Sequence, residues 1–213
     1  MQPIILDNSD ESIKYAINSL KKGNIGIFPT DTVYGIGCDA LNINAVNKLY
    51  IAKKRNLNNP INILVSNINM VKKFVISINK IEEKLINEFW PGDLTIVFEK
   101  SNIVPDILTA NLNTVGIRMP NNKVCLDIID KFGSPVATSS ANIAGYEPYT
   151  NINDNIINEF KDSVNFIIDN GKTCSGIPST IVKVQKNFVK ILRIGSISTE
   201  DISRALGGKI NVR

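Results

Sequence analysis

Side chains that bind anions and small polar molecules cluster at several points of this sequence. The first cluster, Thr30-Asp31-Thr32, follows an apolar run and is itself followed by Gly35 and Gly37. This stretch could form a substrate pocket at the end of a strand, because glycine permits backbone conformations and close approaches that a Cβ prevents. Threonine, aspartate and glycine are also common in turns and helix caps, so a plain polar turn is the alternative interpretation.

Lys53 and Arg55 form the second cluster, at the end of a predicted helix. An ammonium and a guanidinium could together bind a polyphosphate, and the guanidinium could do so through two parallel hydrogen bonds. The alternative is a solvated basic helix end, which the helix dipole favours.

Arg118 follows an apolar strand, where a charged side chain needs a partner. A carboxylate of a ligand and an internal aspartate are both open as that partner. Ser140 and Asn142 follow another apolar run and could line a site or cap a turn. In the same way, Trp90-Pro91-Gly92 is more typical of a packed helix terminator than of a catalytic element.

Further polar residues, Thr114, Ser179-Thr180 and Arg193, also lie at predicted strand ends. In open α/β sheets, ligands bind in a crevice where strand ends converge. We therefore predict that these clusters share one site. The glycines have neither the P-loop spacing nor the dinucleotide-binding spacing.

Composition limits the chemistry and the class of protein. The chain has 213 residues, 43% of them hydrophobic, a net charge of +4 and no histidine. The lack of histidine excludes His-based general bases, Ser-His-Asp triads and His-ligated zinc. Cys38, Cys125 and Cys174 have no metal-like spacing and are expected to be reduced, buried thiols. Apolar runs are shorter than the about 20 residues of a membrane span, and the N-terminus is polar, so we expect a cytoplasmic protein without membrane association.

Periodicity predicts a mixed α/β fold. Helices are predicted from residue 10 to 21, around 45–52, 68–76, 80–89, 123–132 and 154–160, and after Ser198. Strands are predicted at 25–28, 61–65, 94–98, 115–119, 136–138 and 166–169, with a hairpin of 180–184 and 188–193. Helices that alternate with strands and one hairpin indicate a single α/β (α+β) domain, residues 1–213, with a twisted mixed parallel and antiparallel sheet flanked by helices.

The ordered motifs resemble the YrdC/Sua5 family, in its short, TsaC-like form without the Sua5-type C-terminal domain. The resemblance runs from about residue 10 to 200 and rests on these segments: Pro29-Thr30-Asp31-Thr32-Val33-Tyr34-Gly35, Lys53-x-Arg55, Trp90-Pro91-Gly92, Val115-Gly116-Ile117-Arg118-x-Pro120, Ser140-Ala141-Asn142, Pro178-Ser179-Thr180-Ile181-Val182 and Ile191-Leu192-Arg193-x-Gly195. It implies a YrdC-like fold with a concave substrate cavity. Leu64 and Asn122 occupy positions where many family members have histidine, and Asp169-Asn170-Gly171 replaces a more usual Asp-Gly-Gly.

The resemblance implies an ATP-dependent nucleotidyltransferase, an L-threonylcarbamoyladenylate synthase. Its substrates are L-threonine, bicarbonate or CO2, and ATP with Mg2+, and its products are threonylcarbamoyl-AMP and pyrophosphate. A separate transferase complex would then use the adenylate to make t6A at position 37 of ANN-decoding tRNAs. No protein metal site is expected.

The same resemblance assigns roles to individual residues. Lys53 and Arg55 are the implied catalytic residues. The implied threonine-binding residues are Thr32, Arg118, Thr138 and Ser179, with Arg118 on the carboxylate. The implied ATP-binding residues are Arg55, Asn59, Thr114, Ser140, Asn142 and Arg193. Because Arg55 and Arg118 should face the cavity, we expect alanine at either position to reduce turnover strongly with little loss of fold.

Two rival functions stay open. The first is an RNA-binding module of the same fold without adenylate chemistry, and weak RNA or tRNA binding could also accompany the synthase. The mild net charge and the lack of an aromatic-basic motif give little support to specific RNA binding. The second is a relative with the same fold that makes a different carbamoyl adenylate.

Overall fold

The computed structural model describes residues 2–173, 175–186, 188–208 and 210–213. Within these residues the chain forms seven helices: α1 (Asp10–Lys21), α2 (Ile43–Ala52), α3 (Ile68–Phe74), α4 (Lys80–Phe89), α5 (Lys123–Phe132), α6 (Asp154–Phe160) and α7 (Thr199–Ala205). The same residues form eleven strands: β1 (Ile4–Leu6), β2 (Gly26–Phe28), β3 (Gly35–Asp39), β4 (Asn62–Leu64), β5 (Leu94–Glu99), β6 (Thr114–Arg118), β7 (Val136–Ser140), β8 (Phe166–Ile168), β9 (Thr180–Gln185), β10 (Phe188–Arg193) and β11 (Asn211–Val212).

Side-chain caps fix the helix starts close to where the sequence predicts them. The Ser9 hydroxyl accepts a hydrogen bond from the backbone N–H of Ser12 at the start of α1. Asn79 and Glu82 form a reciprocal capping box at α4, so two otherwise unpaired N–H groups are satisfied. At the other end of a helix, Gly133 adopts a left-handed conformation with φ of 76° and terminates α5.

All the strands belong to one mixed sheet in the order β1-β8-β2-β3-β7-β4-β6-β5-β9-β10-β11. The sheet contains both parallel pairs, such as β4 with β6 and β5 with β9, and antiparallel pairs, such as β3 with β7 and β9 with β10. The predicted fold class, a mixed sheet flanked by helices, is confirmed. The predicted hairpin is present, although the Asn187 in its turn lies outside the described residues.

Strand β3 is the main difference from the sequence-based expectation. Gly35 and Gly37 were expected in a pocket turn, but both lie in β3, paired antiparallel with β2 and β7. Their small size is needed for close packing: a Cβ at Gly37 would lie 2.7 Å from the Ala137 carbonyl oxygen. The sequence-based assignment also missed β1 and β11, which are only three and two residues long.

The two faces of the central strands have different roles. Ile63, Ile96, Ile117 and Ala137 are buried in the hydrophobic core. Residues that alternate with them along the same strands face the other side of the sheet. Cys38 and Cys125 are buried and free, as expected, whereas Cys174 lies outside the described residues. Among the helices of the described residues, none is long and apolar enough to cross a membrane.

Candidate substrate cavity

A cavity of about 560 Å³ lies on one face of the sheet. Alternate residues of consecutive strands line it, for example Asn62 and Leu64 of β4, Gly116 and Arg118 of β6, and Thr95 of β5. A volume of this size falls in the usual range for a small-molecule site. The predicted clusters therefore largely meet at one site, as expected, but the site extends across the sheet face and is not confined to a crevice at strand ends.

Nine of the residues that the sequence nominated line this cavity. They are Thr32, Arg55, Asn59, Thr114, Arg118, Thr138, Ser140, Ser179 and Arg193. Lys53 and Asn142 are not among the lining residues, although both lie next to the cavity wall. Their contacts indicate a supporting position, which differs from the direct contact with ATP that the sequence implied.

Lys53 holds the segment that follows β7. It is 1% exposed, and its Nζ donates to the carbonyl oxygens of Ser140 at 2.5 Å and Asn142 at 2.6 Å. Burial and the nearby charge of Arg55 together lower its pKa to about 7, and Glu159 acts in the opposite direction. These contacts let Lys53 position the loop, and its catalytic role stays a prediction.

Asn142 fixes the same loop from within. Its Oδ1 accepts from the Ser140 hydroxyl at 2.6 Å. Its Nδ2 donates to the carbonyl oxygens of Ile143 at 2.9 Å and Tyr146 at 2.7 Å. Both N–H groups of the amide and one lone pair of its oxygen are therefore used within the loop, and Ser140 is the member of the pair that lines the cavity.

Arg118 has internal aspartate partners. Of the two partners that the sequence left open, a ligand carboxylate and an internal aspartate, the structure shows the aspartate. Its NH2 group donates to Asp31 at 2.5 Å and to Asp93 at 3.2 Å, and its Nε donates to the Gly92 carbonyl oxygen at 2.8 Å. Its NH1 group donates to the Thr32 hydroxyl at 2.9 Å. A guanidinium has five N–H donors, so one N–H on NH1 is left for a ligand.

Both aspartates beside Arg118 also accept a hydrogen bond from another residue. The Oδ2 atom of Asp31 accepts from the Asn121 backbone N–H at 2.9 Å, and Asp93 accepts from the Ser196 hydroxyl at 2.7 Å. Burial raises the pKa of Asp93, and the nearby Asp31 carboxyl raises it further. The network joins Arg118 to the loop that follows β10.

The hydroxyls of Thr30 and Thr32 have defined directions. Thr30 donates its hydrogen to the Val33 carbonyl oxygen at 2.6 Å and accepts from the Thr32 backbone N–H at 3.2 Å. The hydroxyl oxygens of Thr30 and Thr32 are 3.0 Å apart. Because the Thr30 hydrogen is already donated to Val33, Thr32 is the donor in that contact. Since Thr32 also accepts from Arg118, it has one lone pair left and can only accept from a ligand.

Ser179 forms a hydroxyl pair with Thr95, a residue that sequence reasoning missed. The two oxygens are 2.9 Å apart, and Ser179 also accepts from NH2 of Arg193 at 3.1 Å. Both side chains are almost fully buried and both line the cavity. The pair holds two hydrogens and its own contact uses one, so one hydroxyl hydrogen is available to a ligand.

Three guanidinium groups face the cavity without a carboxylate in its lining. Arg55 donates to the carbonyl oxygens of Asn59 and Pro60, at 3.0 and 2.8 Å, and Arg193 donates to that of Ser179 at 2.7 Å. Loss of surrounding water lowers the pKa of Arg193, and the charges of Arg118 and Arg55 lower it further. No aspartate or glutamate is present among the described residues of the lining. The cavity therefore favours an anionic ligand.

Magnesium finds no protein ligand set in this lining. Mg2+ is usually held by one or two carboxylates together with substrate phosphates and water. Among the described residues, the polar side chains of the lining carry hydroxyl, amide and cationic groups, and no group of three or more histidine, cysteine or acidic residues could hold a metal ion. The residues present do not form a protein site for this ion.

Backbone features bring Arg193 and Ser179 together. A register shift between Ile191 and Arg193 in the β9–β10 pair lets two successive residues, Leu192 and Arg193, both line the cavity. Close by, Gly195 lies against the Ser179 backbone, where a Cβ would be 2.1 Å from the Pro178 carbonyl oxygen. The Thr180 hydroxyl accepts from the Gly195 N–H at 2.9 Å and donates to the Ile197 carbonyl oxygen at 2.7 Å.

Several lining residues were not identified from the sequence. They include Asn62, Thr95, Lys183, Gln185 and Lys190. Each lies two residues from another lining residue on its strand, so a strict alternation test along β4, β5, β9 and β10 could have found them.

Comparison with known proteins places the fold and the cavity in a family. The family model Sua5/YciO/YrdC, described as "Telomere recombination", matches residues 18–195. A threonylcarbamoyl-AMP synthase of Pyrococcus abyssi is 35% identical over 195 residues, covering 92% of this chain and 57% of the relative. A Methanocaldococcus jannaschii relative, provisionally given the same enzyme name, is 36% identical over 206 residues. The matched region covers 94% of this chain and 95% of the relative.

A solved structure agrees with these matches. The structure of P. abyssi Sua5 complexed with L-threonine superposes with a TM-score of 0.93 at 32% identity, and it covers 100% of this chain and 63% of that chain. This chain therefore spans less than two thirds of both P. abyssi relatives. From the extent of the model match and the similarity of the folds, we conclude that the chain belongs to the Sua5/YciO/YrdC family.

Proposed function

We propose that this protein makes threonylcarbamoyl-AMP from L-threonine, bicarbonate or CO2, and ATP, and releases pyrophosphate. The observation that carries the proposal is the cavity lining: three guanidinium groups, no carboxylate among the described residues, and hydroxyls with defined donor and acceptor directions. The names of the curated relatives and the threonine complex of P. abyssi Sua5 support it.

The unpaired donors and acceptors suit an α-amino acid. In the antiparallel pair of β5 and β6, Ile96 is opposite Ile117. The preceding residue of β5, Thr95, is therefore opposite the next residue of β6, Arg118. The free N–H of Arg118 and the free hydrogen of the Thr95–Ser179 pair would donate to the two carboxylate oxygens. The remaining lone pair of Thr32 would accept from the amine. In this arrangement Arg118 gives the carboxylate a single hydrogen bond, because its other four N–H groups are occupied.

Selectivity for threonine requires a partner for its side-chain hydroxyl. The Thr138 hydroxyl donates to the Val136 carbonyl oxygen at 3.1 Å, so its oxygen can only accept from a ligand. We assign Thr138 to the threonine hydroxyl. A site that pairs this hydroxyl rejects valine far better than shape alone would, because valine leaves the polar group without a partner.

The reaction needs no covalent intermediate with the protein. The threonine amine adds to CO2 and loses a proton to give a carbamate. One carbamate oxygen then forms a bond to the α-phosphorus of ATP, and the bond between that phosphorus and the bridging oxygen of pyrophosphate breaks. Arg55 and Arg193, with Asn59, Thr114 and Ser140, would bind ATP and stabilise the developing negative charge. Lys53 and Asn142 would act by holding the Ser140 loop.

Other parts of the proposal depend on this activity. Mg2+ would enter with ATP, bound by phosphate oxygens and water. The labile adenylate would pass to a separate transferase that makes t6A in tRNA. We also place the protein in the cytoplasm, where the buried free thiols of Cys38 and Cys125 would stay reduced.

Measurement of pyrophosphate release tests the proposal. Purified protein is incubated with ATP, Mg2+ and bicarbonate, with threonine, serine, valine or no amino acid, and the adenylate is identified by mass spectrometry. We expect pyrophosphate and threonylcarbamoyl-AMP in equal amounts with threonine, less with serine and almost none with valine. If threonine caused no pyrophosphate release under any metal condition, the synthase assignment would be wrong. RNA binding without adenylate formation would instead favour the RNA-binding module.

A further inference from the structure

Two lysines on the β9–β10 hairpin lie opposite each other at the cavity. Lys183 and Lys190 are register partners in the antiparallel pair, and both line the cavity. Residues of the same strands at spacings of two, Ile181, Gln185 and Leu192, line it as well. One face of the hairpin therefore forms a wall of the cavity, and the lysine pair lies within that wall.

The two ammonium groups differ from the three cavity arginines in their partners. Arg55, Arg118 and Arg193 all donate to protein oxygens. Within the described residues, neither Lys183 nor Lys190 takes part in an ion pair or a side-chain hydrogen bond. Like charges directly opposite each other on neighbouring strands are destabilising. The pair therefore carries an electrostatic cost in the free protein, and an anionic ligand would remove that cost.

The spacing of the pair indicates a ligand with two adjacent anionic groups. Side chains directly opposite on antiparallel strands have Cβ atoms about 4.5–5.5 Å apart. Each lysine places a compact charge with three N–H donors on a flexible stem. Two neighbouring phosphoryl groups carry more negative charge than an amino acid carboxylate or a single phosphate, so they would offset the repulsion between the two ammonium groups more fully.

We propose that Lys183 and Lys190 bind the pyrophosphoryl end of ATP and retain it as the leaving pyrophosphate. The inference rests on the proposed function for the identity of the ligand. The described part of the lining holds no carboxylate, and protein cations at this wall would offset charge that develops on the leaving group. The three arginines would then remain free to act at the α-phosphate and the amino acid.

Binding measurements with three ligands test the assignment without catalysis. Pyrophosphate, AMP and ATP, the last without threonine, are titrated calorimetrically into the wild type and into Lys183→Gln, Lys190→Gln and the double variant. Lys186→Gln is the matched control, since Lys186 is an exposed lysine on the same hairpin that does not line the cavity. For partly exposed ion pairs we expect pyrophosphate and ATP to bind roughly two- to fivefold more weakly in each single variant, and more weakly still in the double variant. AMP affinity should change by less than about twofold, and Lys186→Gln should match the wild type.

Three results would overturn the assignment: unchanged pyrophosphate binding in the double variant, AMP binding that weakens as much as pyrophosphate binding, or an equal effect from Lys186→Gln. Loss of RNA binding in all three single variants with unchanged pyrophosphate binding would show that the hairpin is a nucleic-acid surface and would also overturn it. Thermal unfolding checks the fold, and we expect midpoints at or above that of the wild type because the substitutions remove repulsion. Failure of the wild type to release pyrophosphate in the threonine assay would count against the proposed function alone.

Discussion

Replacement of Arg118 by alanine should destabilise the protein strongly, contrary to the expectation from sequence that the fold would be little affected. The side chains of Arg118 and Asp31 are 7% and 9% exposed, and the pair is only 2.5 Å apart. Arg118→Ala would leave the Asp31 carboxylate buried without its cation. Removal of one partner from a buried pair typically costs about 3–5 kcal/mol, which is a large part of the roughly 5–15 kcal/mol stability of an ordinary domain.

A double variant separates the cost of leaving the Asp31 charge unpaired from the cost of lost packing. Asp31→Asn removes the unpaired charge, and its amide oxygen can still accept from the Asn121 N–H that Asp31 now binds. The double variant Arg118→Met, Asp31→Asn should therefore be more stable than Arg118→Ala by about 2 kcal/mol or more, because no uncompensated buried charge remains. Asp93 is the lesser contributor, since its side chain is 23% exposed and can be hydrated.

Urea unfolding at pH 7, followed by circular dichroism and extrapolated linearly to water, gives the free energies of unfolding for the comparison. Adenylate formation is measured separately on each variant at a temperature where it is folded. A loss below about 1 kcal/mol in Arg118→Ala would contradict the internal-pair assignment, since breaking a buried pair should cost more. A double variant less stable than the single variant would contradict it as well.

Three further predictions concern other parts of the cavity. Lys53→Met should remove a pH dependence: the folded pKa of about 7 lies below the unfolded value of 10.5, so the unfolded chain binds more protons and wild-type stability should rise by about 2 kcal/mol from pH 6.5 to 8.5; equal urea-derived pH profiles in the two proteins would contradict this. Thr32→Val should raise the KM for threonine about tenfold, while Thr32→Ser stays near wild type, because a lost hydrogen bond to a charged group is worth about 1.5–3 kcal/mol; similar KM values in both variants would refute the role. Gly195→Ala should lower the thermal midpoint and weaken ATP binding by displacing Pro178 and Ser179, at a cost of about 1–3 kcal/mol; an unchanged midpoint would show that the contact relaxes freely.

Local signals were sufficient to predict the helices. The Asn79 and Glu82 capping box and the left-handed Gly133 each mark a helix end through contacts within a few residues. Strand β3 was missed because its two glycines are typical of turns, and only the close approach of β7 explains them. Strands β1 and β11 depend on pairing with distant β8 and neighbouring β10, which short segments do not reveal.

The sequence predicted which residues line the cavity better than it predicted how their side chains are arranged. The order of the motifs predicted that Thr32, Arg118 and Ser179 share one site, and all three line the cavity. There, hydrogen bonds join Thr32 to Arg118 and Ser179 to Thr95. Sequence could not show that Lys53 would turn toward two carbonyl oxygens behind the wall, because that depends on where the loop after β7 passes. The Thr95 hydroxyl was hidden within an apolar strand.

The lack of acidic residues in the described lining also has a consequence for the empty protein. The charge of Arg118 is offset by Asp31 and Asp93, whereas four other cationic side chains of the cavity have no carboxylate partner among the described residues and repel one another: Arg55, Lys183, Lys190 and Arg193. The ligand-free state therefore stores electrostatic strain that only a polyanion or screening by salt relieves. If the cavity binds ATP as proposed, bound nucleotide would raise the free energy of unfolding and slow proteolysis, so substrate supply would affect how long the protein persists as well as its rate.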